Sequence, residues 1–314
     1  MGAKVKNGGF KNYRTTIDYV KLFLAFKYKT AKDTYLSRVN MEFMTELEHY
    51  IRNHPMKEND PCVGNGLGKH IQRFKTIIKW GKLIKWSKEN QISEYPCNIK
   101  KNKRKKLSIV QLVDLENQEF IEKQLQFVQD LFLYSCYTGL AYAEAMKLDD
   151  SHFEWDTNGV TWCLIYRDKT EDLCPVPLLK SAEKILKKYR AIRKPDTTRI
   201  FPRITNKDVN AYLKVIQQIC HIPFPLTFHI ARHTFAKTVA LKNGIPLETV
   251  QMMMGHTKIT TTQIYADVDE EKILDDMTGL DEKLEKRRAL VLKHQTGNNP
   301  VSKSPEAVPI MSIY

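Results

Sequence analysis

His229-Ile-Ala-Arg232-His233-Thr-Phe-Ala236, followed by Gly255-His256 and then Tyr265, is the stretch on which the reading of this chain turns. His229 and Arg232 stand about one helical turn apart, so they can hold a phosphate from two sides. A second histidine and a tyrosine follow within a short distance. Together they offer oxyanion stabilisers, a proton donor and a nucleophile, the set that breaks a phosphodiester without a metal ion. Taken singly, each has a plainer reading. A tyrosine in Gln263-Ile-Tyr-Ala266 is a half-buried packing residue, and a lone histidine is simply hydrogen-bonded. Order and spacing together favour the chemical reading.

The composition points the same way. A chain of 314 residues with 42% hydrophobic residues can build two folded domains. The formal net charge of +14 suits a polyanionic partner, because each phosphate contact releases counterions. Cys62, Cys97, Cys136, Cys163, Cys174 and Cys220 form no CxxC pair and read as free thiols of a reducing compartment. No apolar run is long enough to span a bilayer, and no signal-peptide pattern opens the chain. The expectation is a cytoplasmic protein, away from membranes and associated with the nucleoid when bound to DNA.

Residues 1–9 and 294–314 are polar or Pro/Ser-bearing and are expected to be disordered. Residues 10–97 read as a helical DNA-binding domain, with helices over 11–29, 41–52, 69–80 and 82–89. In the first of these Tyr13, Ile17, Val20, Phe23 and Leu24 form the apolar stripe. Gly64, Gly66 and Gly68 read as a loop before the third helix. The outer face of that helix offers Lys69, Arg73, Lys75 and Lys79 to DNA.

Residues 98–107 form a basic interdomain linker, whose Lys100, Lys101, Lys103, Arg104, Lys105 and Lys106 are DNA-contact candidates. The plainer reading of such a run is a solvated tether. Residues 108–293 read as the second domain, opened by the capping box Ser108-Ile-Val-Gln111. Helices over 120–137 and 142–148 precede a β-type segment over 153–178, where Asn158-Gly159 is a hairpin signal. Helices resume near 181, and a charged helix over 270–293 ends the domain. The expected fold is mainly α, with a small antiparallel β-sheet in the second domain.

The quoted motifs resemble those of the tyrosine recombinases, or phage-type integrases, over nearly the whole chain. Residues before Lys100 look like the family's core-binding domain, and 107–293 like its catalytic domain. Tyr137-Thr-Gly-Leu-Ala-Tyr142 and Arg167-Asp-Lys-Thr170 are similar to integrases of Bacteroidetes mobile elements. The family's amino-terminal arm-binding domain has no counterpart here; either this member lacks it or the chain is a piece of a longer one.

Residue by residue, the family's HxxR pair matches His229 and Arg232, and its later His/Trp position matches His256 after Gly255. Its nucleophile matches Tyr265, nine positions on, and its hairpin lysine matches Lys169. Its first arginine belongs where Ala141 stands, while the acidic residue three further on is kept as Glu144.

The resemblance implies phosphoryl transfer with no cofactor and no metal. Tyr265 would attack the scissile phosphate and leave a 3′-phosphotyrosine. Arg232 and His256 would stabilise the non-bridging oxygens, and His229 would assist proton movement at the nucleophile. Lys169 would protonate the leaving 5′-oxygen. Glu144 and His233 are expected to support the structure.

Arg167, two residues before Lys169 on the same strand face, is the candidate to replace the missing arginine. Implied partners are duplex recombination sites, three further protomers in a homotetramer on DNA, and an accessory or directionality factor. Two other readings remain: a catalytically impaired DNA-binding relative, suggested by Ala141, and a strand-passing topoisomerase.

Overall fold

The computed structural model describes residues 7–29, 33–56, 60–86, 89, 91–100, 104–166, 172–266 and 270–297. It divides into two units between residues 103 and 104.

The first unit is helical, with α1 (Asn7–Tyr28), α2 (Met41–Asn53) and α3 (Gly64–Leu83). Asn40 caps α2 by accepting the Phe43 N–H at 2.9 Å, satisfying one of the helix's orphan donors. Phe23, Phe43, Met44, Leu47, Ile51, Ile71 and Phe74 form the core. On α1, Thr16 and Tyr19 face inward, whereas Ile17, expected inside, is exposed.

The glycines expected in a loop instead lie within α3. A Cβ at Gly68 would fall 2.8 Å from Ile99 Cγ1 and 3.2 Å from the Asn98 carbonyl, so glycine there permits close packing of the 98–99 segment. The expected separate helix over 82–89 is absent among the described residues. α3 runs on to Leu83, and Lys85 turns the chain away at φ 64°. The disorder expected over 1–9 does not extend to Asn7–Gly9, which are helical, and the remainder lies outside the described residues.

The second unit opens with α4 (Ile109–Asn117), whose capping box forms as expected from Ser108 and Gln111. Its central element is α5 (Lys123–Thr138), buried along most of its length. α6 (Tyr142–Ala145) is a single turn, shorter than expected, because the chain leaves it to bridge Asp149 to Arg199. An antiparallel sheet follows, β1 (Phe153–Trp155), β2 (Thr161–Tyr166) and β3 (Leu173–Pro177), in that spatial order. Cys163 pairs with both Phe153 and Val176, which sets the register.

α7 (Lys180–Ala191), α8 (Asn206–Ile219) and α9 (Phe228–Thr234) pack against α5. Leu131, Phe132, Tyr134, Phe201, Leu213 and Phe228 fill the space between them. α9 continues into a π-helical turn, Phe235–Ala240. α10 (Leu247–Met253), α11 (Ile259–Thr262), a short 3-10 turn Gln263–Tyr265 and α12 (Glu270–Gly297) complete the chain. Residues 294–297, expected in a disordered tail, belong to α12; 298–314 lie outside the described residues. The fold is mainly helical with one small antiparallel sheet, the class that the sequence leads one to expect. Among the described residues no helix is long and apolar enough to cross a membrane.

Candidate active site

Arg232 sits on α9 with 3% of its surface exposed. Its guanidinium is held from several elements. Nη1 donates to the Gly139 carbonyl at the end of α5, and Nη2 donates to the Met254 carbonyl at the end of α10. Nη2 also faces His256 Nε2 at 3.2 Å, and the Glu144 carboxylate of α6 lies 3.8 Å from Nη1. The planar donor fork suits such multiple anchoring, and the buried charge has a compensating acid nearby. Gly139 makes this possible. Its φ is +74°, and a Cβ there would fall 2.5 Å from Phe235 Cδ1.

Ala141 leaves the first-arginine position without a cation. Its N–H donates to Glu144 Oε2 at 2.7 Å. Glu144 thus ties the turn after α5 to Arg232. His256 is fixed by its own contacts: Nδ1 lies 2.9 Å from Thr262 Oγ1, and its carbonyl accepts from Gln251 Nε2 at 2.8 Å. A neutral His256 that accepts from Arg232 at Nε2 carries its proton on Nδ1 and donates it to Thr262.

Tyr265 is buried, with its ring among Phe235, Ala236, Ala240, Val250 and Met254. Its hydroxyl lies 2.8 Å from His233 Nδ1. The sequence leads one to expect His229 at the nucleophile and His233 in a supporting role. In the structure His233 meets the hydroxyl, while His229 is exposed and stands edge-on to His233 with ring centroids 4.4 Å apart. Burial, then the neighbouring His229, Arg104 and Arg232, push the His233 imidazole down to about 3. The sequence shows two histidines four apart on one helix, but which of them meets the tyrosine depends on how α9 is rotated in the fold.

Arg167 and Lys169 lie outside the described residues, as do Lys101 and Lys103. Just after Lys169, Asp172 accepts a hydrogen bond from Thr257 at 3.3 Å, which ties the start of β3 to the residue after His256. Of the other expected DNA contacts, Lys69 and Lys79 are exposed on α3, and Arg73 is half-buried. Lys75 is turned to the chain itself and donates to the Tyr95 carbonyl. Both backbone groups of Lys100 bond to the Asn65 side chain at 2.8 Å.

Arg104 and Lys105 are exposed, and Lys106 is half-buried. Leu107 is buried and clamped to α9 and the turn that continues it. Its N–H donates to Thr234 Oγ1 at 3.0 Å, and its carbonyl accepts from Thr238 Oγ1 at 2.6 Å. Among the described residues no group of three His, Cys, Asp or Glu side chains is placed to hold a metal ion.

The phage integrase family model matches residues 106–272, and the phage integrase SAM-like domain model matches residues 1–101. The chain belongs to the phage integrase family. Tyrosine recombinase XerD of Listeria monocytogenes is 32% identical over 154 residues, covering 44% of this chain and 49% of that one. The chain spans about half the length of the curated relatives it matches.

Among solved structures, the Tn1549 transposon integrase in complex with transposon right-end DNA matches with a TM-score of 0.65 at 15% identity. That match covers 89% of this chain and 95% of the other. The lambda integrase tetramer bound to a Holliday junction matches with a TM-score of 0.59 at 12% identity, covering 82% of this chain and 73% of the other. Both share the fold.

Proposed function

We propose that the chain is a site-specific DNA recombinase that cleaves and rejoins strands through a phosphotyrosine at Tyr265, serving a mobile element as integrase or a promoter as invertase. The observation that carries this is the gathering of Arg232, His256, His233 and Tyr265 into one site within a chain of this family. Tyr265 attacks phosphorus and the 5′-oxygen leaves; the bond energy is kept in the phosphotyrosine, so no ATP is needed. Arg232 offsets the charge on the non-bridging oxygens, and on binding DNA His256 turns its N–H to them as a hydrogen-bond donor. Lys169 supplies the proton to the leaving oxygen.

Arg167 takes the place of the absent first arginine; Lys147, six residues after Ala141, is the next residue to test. The motifs over 137–142 and 167–170 support a Bacteroidetes-type element. The partner is duplex DNA at paired recombination sites, bound as a homotetramer in the nucleoid of the cytoplasm with an accessory factor where direction is imposed. Ala141 favours one other reading, a catalytically impaired DNA-binding relative.

A nicked suicide substrate separates the two. The wild type accumulates a covalent complex on it, in EDTA as in buffer, and Tyr265→Phe binds the DNA but forms none. Arg167→Ala slows cleavage by about a hundredfold or more at saturating DNA. Absence of any covalent complex with the wild type selects the impaired relative, and a covalent complex with Tyr265→Phe removes Tyr265 as nucleophile.

A further inference from the structure

A phenol with an ordinary pKa of about 10 is almost entirely protonated near neutrality, so a tyrosine nucleophile needs somewhere to send its proton. The Tyr265 hydroxyl lies 2.8 Å from His233 Nδ1, and both residues are buried. A neutral imidazole offers one acceptor nitrogen, and a phenol is the better donor of the two groups.

We propose that His233 is a further catalytic residue, whose Nδ1 receives the phenolic proton of Tyr265 as the phosphotyrosyl bond forms. This rests on the recombinase reading above.

The charges around the ring fit the role. His229 and Arg232 face it from its own helix, Arg104 from the segment before α4, and Tyr265 from the 3-10 turn. In the resting protein burial, then His229, Arg104 and Arg232, disfavour imidazolium, so His233 stays an acceptor across the physiological range. A phosphodiester bound at Arg232 would bring negative charge to the next residue of the same helix. The proton then becomes acceptable to His233 at the step where the phenol loses it.

The step balances. The Oη–H bond breaks and its proton goes to Nδ1. The Oη–P bond forms and the P–O5′ bond breaks. The 5′-oxygen is protonated by Lys169 or solvent. In the rejoining step a strand's 5′-hydroxyl gives its proton to Lys169 or solvent as its oxygen bonds to phosphorus, the Oη–P bond breaks, and His233 returns its proton to the phenolate. His229, exposed and edge-on to His233, gives the pair a neighbour in contact with water.

The test measures covalent-complex formation on the suicide substrate from pH 6 to 9 for the wild type, His233→Ala and His233→Asn. The asparagine keeps a polar partner for the hydroxyl but cannot take a proton. DNA affinity and thermal melting are measured alongside. At pH 7 both variants should lose about a hundredfold to ten-thousandfold in rate. Their rates should then climb about tenfold per pH unit as hydroxide takes over, with affinity unchanged.

Near-wild-type cleavage by His233→Asn would show that the ring only positions Tyr265. A loss of equal size at every pH would show that it only packs. A substrate with a 5′-bridging sulfur needs no proton on its leaving group. Restoration of the variants by that substrate would place His233 on the acid side and overturn the proposal. If the wild type itself forms no covalent complex, the recombinase reading falls and this inference with it; if only the His233 variants keep full rate, this inference alone falls.

Discussion

The Glu144 carboxylate lies 3.8 Å from the Arg232 guanidinium, with both side chains buried, and the same carboxylate accepts the Ala141 N–H. Removing one partner of such a pair leaves an uncompensated buried charge. Glu144→Ala should therefore lower stability by about 3 kcal/mol in urea denaturation, and Glu144→Gln, which keeps the hydrogen bond, by less. An unchanged midpoint for Glu144→Ala would show that the Gly139 and Met254 carbonyls suffice for Arg232.

Gly139→Ala combines a left-handed backbone with a methyl group set against the Phe235 ring. Strain and overpacking together should cost about 2–4 kcal/mol. Because the Gly139 carbonyl also accepts from Arg232, cleavage should fall further than stability alone explains. Calorimetry beside the suicide-substrate assay separates the two losses, and a fully stable, fully active variant would contradict both.

His233 also carries a pH dependence of folding. Its folded value of about 3 lies below the ordinary histidine value of about 6.5, so on acidification the unfolded chain takes up this proton first. The stability contributed by neutral His233 is complete above about pH 6.5 and is lost as pH falls from there toward 3. Melting temperatures between pH 7 and 4 should fall more steeply for the wild type than for His233→Phe. Parallel slopes would mean that His233 is protonated in the fold.

The basic run from Lys100 to Lys106 places six cations across the boundary between the two units in the chain. Replacing them with glutamine should weaken DNA binding and reduce the slope of log K against log salt, by up to about 0.9 for each phosphate that the run neutralises. Fluorescence anisotropy over a salt series reads this directly. An unaltered slope would leave the run as a solvated tether.

On α12, Ile273, Leu274, Met277, Leu280 and Leu284 are exposed on a charged helix. These side chains suit docking on a neighbouring protomer. Deletion from Asp269 onward should spare binding to a single site and impair pairing of two sites and recombination, as read by gel shift and a two-site plasmid assay. Wild-type recombination by the deletion would exclude that role.

The features legible in the sequence are those set by local rules. The Ser108–Gln111 capping box, the Asn158-Gly159 turn and the amphipathic stripe of α2 follow from hydrogen bonding and periodicity within a few residues. Gly64, Gly66 and Gly68 mislead for the opposite reason. A glycine signal is the same for a loop as for a helix pressed against another segment, and at Gly68 only the position of Asn98 and Ile99 distinguishes them. The order of the site residues is readable from spacing, but the exchange of His229 for His233 at the tyrosine is not. That depends on the rotation of α9 against α5 and on the turn that buries Tyr265, which are long-range consequences of packing.

The π-helical turn Phe235–Ala240 takes up one residue more than an α-helical turn would, as the bond from Leu241 N–H back to the Ala236 carbonyl shows. That surplus residue sets the phase between the two parts of the helix. Before it, Arg232 reaches the Gly139 and Met254 carbonyls and His233 meets Tyr265; within it, Thr238 donates to the Leu107 carbonyl. Losing a single codon here would restore an ordinary helical repeat and turn everything beyond it by about 100° relative to Arg232. The backbone would accept that shortening readily, whereas the alignment of Tyr265 with His233 would not survive it. In this segment the reading frame of the helix is itself part of the candidate site.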